Sequence, residues 1–486
     1  FTYSKEESED ITSRLKRLKS GFKKLSVARL GEKEYEESRL ISRWVKGELF
    51  ALEHLEDNRG NPLLYYWIVD EALWGLPSRT APPHDGELAA YLQRLDKIPK
   101  LLRQASILVV NPARPHTKLA SKLIRNQLAS LPALEIVLDK RYGAEASLPE
   151  GLSRSITGFL GFLEGTLSSQ TRGNLIFGSE NISRIFRYDE SIDINIGGTI
   201  EEAEKGIRRF KTEVTRMQRS VVIPDRPYHP IKEDERPILE RVLETVQGNF
   251  AGNSFPENIR ISDRGAVAPT GSIRGPLMKS RNLTLHPMSV KAVSLVTTGP
   301  FHRGDCVHHL LADEGRSKTE LIYESLKELT LARPIEMLCQ GTDTVRAIFP
   351  SEIYAGVVRF IEIEKLIDLF PTEKPALLKS LLKEKIRALA LTIVVLKLHA
   401  GTLTTESAAL YLEETAGLSA DEAAGNVLTA TYAPTIAYPG ISILEIDRLR
   451  KHSTVRRAAV RTDERLHGVL MDLYFMPIPD IYAQLP

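Results

Sequence analysis

Along most of the chain apolar residues recur at spacings of three and four, the pattern of helices that bury one face. Within residues 8 to 56, Ile11, Leu15, Leu18, Phe22 and Leu25 follow it, which predicts helices with these five side chains on a covered stripe. Aromatic residues concentrate in Leu63-Leu64-Tyr65-Tyr66-Trp67-Ile68 and at Trp74, ahead of a turn-rich run from Pro77 to Gly86. A helical pattern resumes from Tyr91 to Val110 and is broken by Asn111-Pro112 and Pro115. Proline lacks an amide proton and restricts the residue before it. Glu201 to Ser220 predicts a highly charged helix, and Pro224, Pro227, Pro230 and Pro237 mark a connector. Between 250 and 300 Gly, Asn, Ser and Pro are frequent, and Leu283, Leu285 and Val290 to Val296 alternate as strands do. The pattern is helical again from about 316, with Ser419-x-x-Glu422 predicting a capping box and Pro439-Gly440 a turn.

The expected fold is therefore mainly α, a large multi-helix body around a cleft, with a small β ribbon near residues 255–300 and a helix directly after it. The proline connector suggests an N-terminal helical half, 1–235, and a C-terminal half, 236–486, which also fit one continuous domain. No fixed-period repeat is evident, which disfavours a solenoid.

Composition changes this picture little. The 486 residues are 42% apolar and 26% charged, ordinary for a soluble globular protein, and this excludes disordered and collagen-like chains. Lys and Arg total 65 against 63 Asp and Glu, so no global field draws nucleic acid, which is not an expected partner. Charge is informative only locally. Arg14, Lys16, Arg17, Lys19, Lys23, Lys24 and Arg29 lie where no acidic residue falls between Asp10 and Glu32. This basic face is the candidate partner-binding surface: it suits an acidic protein or, as peripheral membrane contact, anionic lipid, and it also fits the solvated side of a docked helix. The longest apolar run, Ala388 to Leu398, falls short of the roughly 18 residues of a membrane span and predicts a buried helix core, with no transmembrane segment. Cys306 and Cys339 supply neither a disulfide framework nor a Cys-x-x-Cys site. The chain opens at Phe1 without an apolar leader, so a leader removed upstream leaves both cytoplasm and periplasm open.

Candidate chemistry gathers in Phe301-His302-Arg303-Gly304-Asp305-Cys306-Val307-His308-His309, where three histidines fall within eight residues. Imidazole is the commonest zinc ligand, and Asp305, Asp313 and Glu314 could complete a nitrogen/oxygen sphere or orient a ring. On a straight helix His302 and His309 would stand about 10.5 Å apart along the axis, too far to share one ion without a bend. His309 with Asp313, four residues on, is the local alternative. Packing without metal is the other.

This stretch resembles the bacterial domain of unknown function 885 family, whose members are similar to zinc metallopeptidases and carry H-E-x-x-P-G-H-H followed by E-G-W-A-L-Y-A-E. His302, His308 and His309 match the three histidines in register, while Arg303 stands for the Glu and Cys306-Val307 for Pro-Gly. In the second motif Ala355-Gly356-Val357-Val358-Arg359-Phe360-Ile361-Glu362 retains Gly356 and Glu362, with Ala355 at the leading Glu. Further landmarks follow in order: Arg94 to Pro99 with Asn111-Pro112, Phe177 to Glu180, Leu398-His399 with Thr404 to Glu406, Ala437-Tyr438, and Leu466 to Gly468 with Pro477.

The resemblance implies that the motif Glu accepts a proton from metal-bound water and that a downstream carboxylate helps hold the metal. Arg303 stays protonated, donates without accepting and repels a cation, and Ala355 has no ligand atom. Losing both acids predicts a catalytically inactive metallopeptidase-like protein acting as a binding or assembly subunit of a protein complex, with no cofactor. The alternative is a metal-dependent, peptidase-like hydrolase whose zinc is held by a rearranged set drawn from His302, His308, His309, Asp305, Asp313 and His399.

Overall fold

A computed structural model describes residues 5–25, 30–55, 57–77, 85–143, 147–170, 176–220, 236–249, 259–263, 295–296, 308–312, 317–330, 345, 351–454, 462–473 and 475–484. The chain forms two compact units, Phe1–Phe177 and, beyond it, Gly178–Val267 with Gly271–Pro486.

In the first unit α1 (Lys5–Lys24) packs on α2 (Glu32–Phe50), which continues as a π-helical turn, Ala51–Leu55. Leu15, Val45 and Leu49 are buried between them, with Ile11, Ile41, Trp44 and Leu52 packed alongside. The predicted stripe is only partly covered: Leu18 is 49% and Leu25 45% exposed. Phe22, between them, is half-buried, so cover is lost residue by residue toward the C-terminal end of α1.

The short α3 (Asp57–Gly60) leads to α4 (Pro62–Trp74), which is buried almost all round because the aromatic cluster occupies every face. Asn61 caps it, accepting from Leu63 N at 3.1 Å, and Pro62 occupies the first turn, where no amide donor is needed. Then come α5 (Glu87–Leu95), α6 (Ile98–Leu108), α7 (Arg114–Tyr142) and α8 (Leu152–Glu164). Pro115 sits in the first turn of α7, which explains why the break after Val110 lasts only a few residues. Tyr65 meets Phe159 edge to face at 6.2 Å, and the Tyr91 hydroxyl donates to the Leu73 carbonyl at 2.8 Å. A buried ion pair, Arg141 to Glu87 at 2.8 Å, ties α7 to α5.

The second unit begins with α9 (Ser179–Glu190), α10 (Ile196–Ser220) and α11 (Arg236–Asn249). Three short backbone strands follow, β1 (Ile259–Asp263), β2 (Leu295–Val296) and β3 (His308–Ala312), in the order β1-β3-β2. Ile259 lies opposite His308 in the parallel pair and Val296 opposite His309 in the antiparallel one. The helix expected for the histidine cluster is thus corrected at His308 and His309, which open a strand. Short apolar runs such as His308 to Ala312 do not distinguish the two by periodicity. Most of 255–300 lies outside the described residues.

Helices then build the rest: α12 (Lys318–Leu329), α13 (Glu352–Ile367), α14 (Lys374–His399), α15 (Thr405–Ala416), α16 (Ala420–Tyr432), α17 (Tyr438–Thr454), α18 (Thr462–Asp472) and α19 (Ile478–Gln484). The axis of the unit is α14, buried on all sides from Ala388 to Leu396 and packed against α10, α15, α16 and α17. Ser419 and Glu422 form the expected capping box on α16. Pro439-Gly440 is no turn between elements but the first turn of α17, where proline is tolerated. Gly440 is required there, since a Cβ would lie 2.1 Å from Thr392 Oγ1 and 2.5 Å from the Ala388 carbonyl of α14.

The division between units falls at 177/178 rather than near 235. The reason is packing: α10 lies along α14, and Glu190 at the end of α9 binds the start of α13. No single described helix is long and apolar enough to cross a membrane.

Candidate functional site

The downstream motif occupies α13, and its start is fixed by an acid from another helix. Glu190 is fully buried; its carboxylate accepts from the Ser351 hydroxyl and from Glu352 N at 3.0 Å, while Ser351 Oγ caps the helix by accepting from Tyr354 N at 3.1 Å. Negative charge at this end also suits the helix dipole. Beside it, Asp189 accepts from the Tyr438 hydroxyl at 2.9 Å, and burial together with the nearby Asp189 and Glu190 charges pushes that phenol well above its ordinary range. Tyr354 donates to the Leu470 carbonyl at 2.7 Å, so both motif-flanking tyrosines are structural ties.

Gly356 marks a close approach of α13 to α17. A Cβ there would stand 2.3 Å from Ser442 Oγ and 2.8 Å from Ser442 Cβ. Ser442 Oγ lies 3.0 Å from the Ile353 carbonyl and 2.8 Å from that of Tyr438, which holds the two helices at this spacing. Ala355 is half-buried and offers no ligand atom. Glu362, which lies at the motif's last acid position, is buried and paired with Lys365 at 3.2 Å. Two residues on, toward the opposite side of the helix, Glu364 accepts from Lys385 and, at 3.0 Å, from Arg450. Burial would raise its carboxyl, but the two cations together hold it below the usual carboxylate range.

A second polar cluster joins α12, α13 and α14. Tyr323 donates to Glu384, and Lys327 lies 2.7 Å from Glu324 and 3.8 Å from Glu384. Burial opposes the Lys327 charge, yet Glu384 and Glu324 raise its pKa, and the Arg359 guanidinium helps keep Glu384 ionised. Here Arg359 of the motif is an electrostatic partner of buried acids.

His399 ends α14, almost wholly buried, with Nε2 2.9 Å from the Ala430 carbonyl. Burial drives the imidazole down to about 4, outweighing that hydrogen bond, which favours the protonated ring. It is a neutral packing group at physiological pH. His302, Arg303, Asp305, Asp313 and Glu314 lie outside the described residues, as do the side chains of His308 and His309. Among the described residues no three His, Cys, Asp or Glu side chains are grouped to hold a metal ion.

On the basic face, Arg14 pairs with Asp10 at 2.7 Å and Lys16 with Glu53 at 2.6 Å. Arg17, Lys23 and Lys24 are exposed and Lys19 half-buried, while Arg29 lies outside the described residues. The acid-free run in sequence is therefore partly neutralised through space by Glu53.

A cavity of about 480 Å³ opens where α10, α13, α14 and α17 meet, with Glu364, Lys385 and Arg450 in its lining. Sequence reasoning missed these residues because three separate helices supply them, Arg450 standing 86 positions from Glu364. One signal was present: Lys385 stands four residues from both Leu381 and Leu389, on a stripe that is otherwise buried and apolar.

No family model matches the chain, and no curated protein matches it. Solved structures share its architecture, two of them bacterial. One is a candidate lipoprotein of unknown function from Shewanella oneidensis, with TM-score 0.71 and 14% identity over 100% of this chain and 93% of that one. The other is a candidate lipoprotein from Colwellia psychrerythraea, with TM-score 0.72 and 12% identity over 100% and 91%. At such identity the likeness establishes the fold.

Proposed function

We propose that this chain is a catalytically inactive, metallopeptidase-like helical protein that serves as a binding or assembly subunit of a bacterial protein complex. The observation that carries this reading is the state of the acids on the motif helix. Beyond its first turn α13 bears only Glu362 and Glu364, and each is held by cations, the first by Lys365 and the second by Lys385 and Arg450. A carboxylate neutralised in this way is a poor metal ligand, because a cation must be displaced before another can bind. Alanine at 355 removes the remaining candidate. The two structural neighbours, both candidate lipoproteins, support a place at the bacterial envelope.

Two measurements test it. Calorimetric titration of the purified chain with zinc at pH 7 is expected to give no binding in the micromolar range or tighter. Tight binding would overturn the reading and support the hydrolase with rearranged ligands. Affinity purification at native abundance is expected to recover the complex, and a chain that elutes alone counts against a subunit role.

A further inference from the structure

We propose that the exposed side of α7 in one molecule binds the exposed side of α15 in a second copy of this chain, cation against carboxylate. The inference rests on the assembly reading above and makes a second copy one of the subunits. Recovery of other proteins bears on that reading, whereas the mass of the purified chain alone bears on this one.

The sequence separates its charges in these two places. From Lys97 to Leu134 it holds seven Lys and Arg and no acid, and from Leu398 to Asp447 seven Asp and Glu and no Lys or Arg. On α7 the cations Arg114, Lys118, Lys122 and Arg125 follow at four, four and three residues, so they share one side of the helix, and all four are exposed. On α15 Glu406, Leu410, Glu413 and Glu414 likewise share a side, and Leu410, 58% exposed, stands among the acids.

Helix stability accounts for neither stripe, since like charges four residues apart weaken a helix. Neighbouring helices do not cancel them either. Arg125 pairs with Glu164 of α8, but among the described residues Arg114, Lys118 and Lys122 have no acid partner. Asp70 of α4 meets α7 on the opposite, buried side, at Gln127. Among the described residues Glu406, Glu413 and Glu414 have no ion-pair partner, and Lys397, the last cation of α14, is held by Glu204 at 3.2 Å. The two stripes also match in step. Four residues of helix rise about 6 Å, so Arg114-Lys118-Lys122 and Glu406-Leu410-Glu414 are ladders of equal spacing. Laid together in either direction, they set the two acids opposite Arg114 and Lys122 and Leu410 against the aliphatic stem of Lys118. Two helix faces bury less than the roughly 1,600 Å² of a standard interface, which places the contact in the weak, salt-sensitive class.

Sedimentation equilibrium of the full chain from about 10 to 200 μM, at about 0.05 and 0.5 M salt, is the test. The weight-average mass is expected to rise with concentration at low salt and to fall back toward the monomer at high salt. Lys118→Glu with Lys122→Glu sets like charges together and is expected to weaken association by more than about tenfold. Glu413→Lys with Glu414→Lys is expected to do the same, at the end of α15 where lysine suits the helix dipole. Mixed in equal amounts, the two variants again present cations to carboxylates and should recover the parent's mass. Lys23→Glu with Lys24→Glu on α1 changes net charge as much as the α7 pair does and should leave the mass as it was. A parent chain that stays monomeric throughout overturns the proposal. So does association that either variant retains, that the mixture does not recover, or that the α1 change weakens equally.

Discussion

Replacing Gly356 by alanine should destabilise the C-terminal unit, although the same change stabilises an ordinary helix. Alanine exceeds glycine in helix propensity by about 1 kcal/mol. Against that, the new methyl would lie 2.3 Å from Ser442 Oγ and 2.8 Å from Ser442 Cβ. Rotation about χ1 moves the hydroxyl away but leaves Cβ where it is, so α13 must shift from α17 or strain in place. Overpacking of this kind costs about 1–3 kcal/mol and carries with it the hydrogen bonds of Ser442 to both helices. Set against the propensity gain this leaves a net loss of up to about 2 kcal/mol, and with about 2 cal/mol/K of unfolding entropy per residue over roughly 300 residues that corresponds to a fall in Tm of up to about 3 °C. Gly425→Ala on α16 is the control, because nothing lies within 4 Å of a Cβ there. It should raise Tm slightly. Combining Gly356→Ala with Ser442→Gly removes both clashing atoms and should restore stability relative to the sum of the single changes. Thermal and urea unfolding read all four proteins. If Gly356→Ala behaves like Gly425→Ala, then the close approach does not explain why glycine stands in the motif.

Three further outcomes follow from the same contacts. Glu190→Ala leaves Ser351 Oγ and Glu352 N without their buried acceptor and should cost about 1–3 kcal/mol in urea unfolding, whereas a change within about 0.5 kcal/mol refutes the capping role. His399 stays neutral down to about pH 4 when folded but protonates near 6.5 when unfolded, so its contribution is intact above pH 7 and is lost as pH falls from 6.5 toward 4. Between pH 7 and 4 the stability gap between the parent and His399→Gln should shrink by about 3 kcal/mol, and a constant gap refutes it. Changing Lys16, Arg17, Lys19, Lys23 and Lys24 to Gln should release a salt-sensitive partner with little change in Tm, and undiminished co-purification would make α1 merely a solvated surface.

The helical class was readable because stripes such as Tyr91 to Val110 and Glu201 to Ser220 carry their period locally. The capping box at Ser419 and Glu422 was readable for the same reason, being four consecutive residues. What sequence could not supply was pairing through space. Glu53 neutralises Lys16 from 37 positions away, and α9 and α10 belong with the helices that follow because α10 lies along α14 while Glu190 and Asp189 bind Ser351 and Tyr438. Gly356 and Glu362 were noticed as motif letters, but their roles became physical only when Ser442 and Lys365 were placed beside them. Leu18 and Leu25 show the converse: correct periodicity does not say where the covering helix stops.

The contact of α10 with α14 also sets a schedule for biosynthesis. Gly206 packs against the Leu389 side chain, and Ala203, Ile207 and Phe210 are buried on the same helix. These partners lie about 180 residues apart, and at roughly 5–20 residues per second a ribosome needs about ten to forty seconds to reach the second from the first. Through that interval the apolar side of α10 has no native cover. Burial of that side is therefore a late event, completed only when α14 has been made.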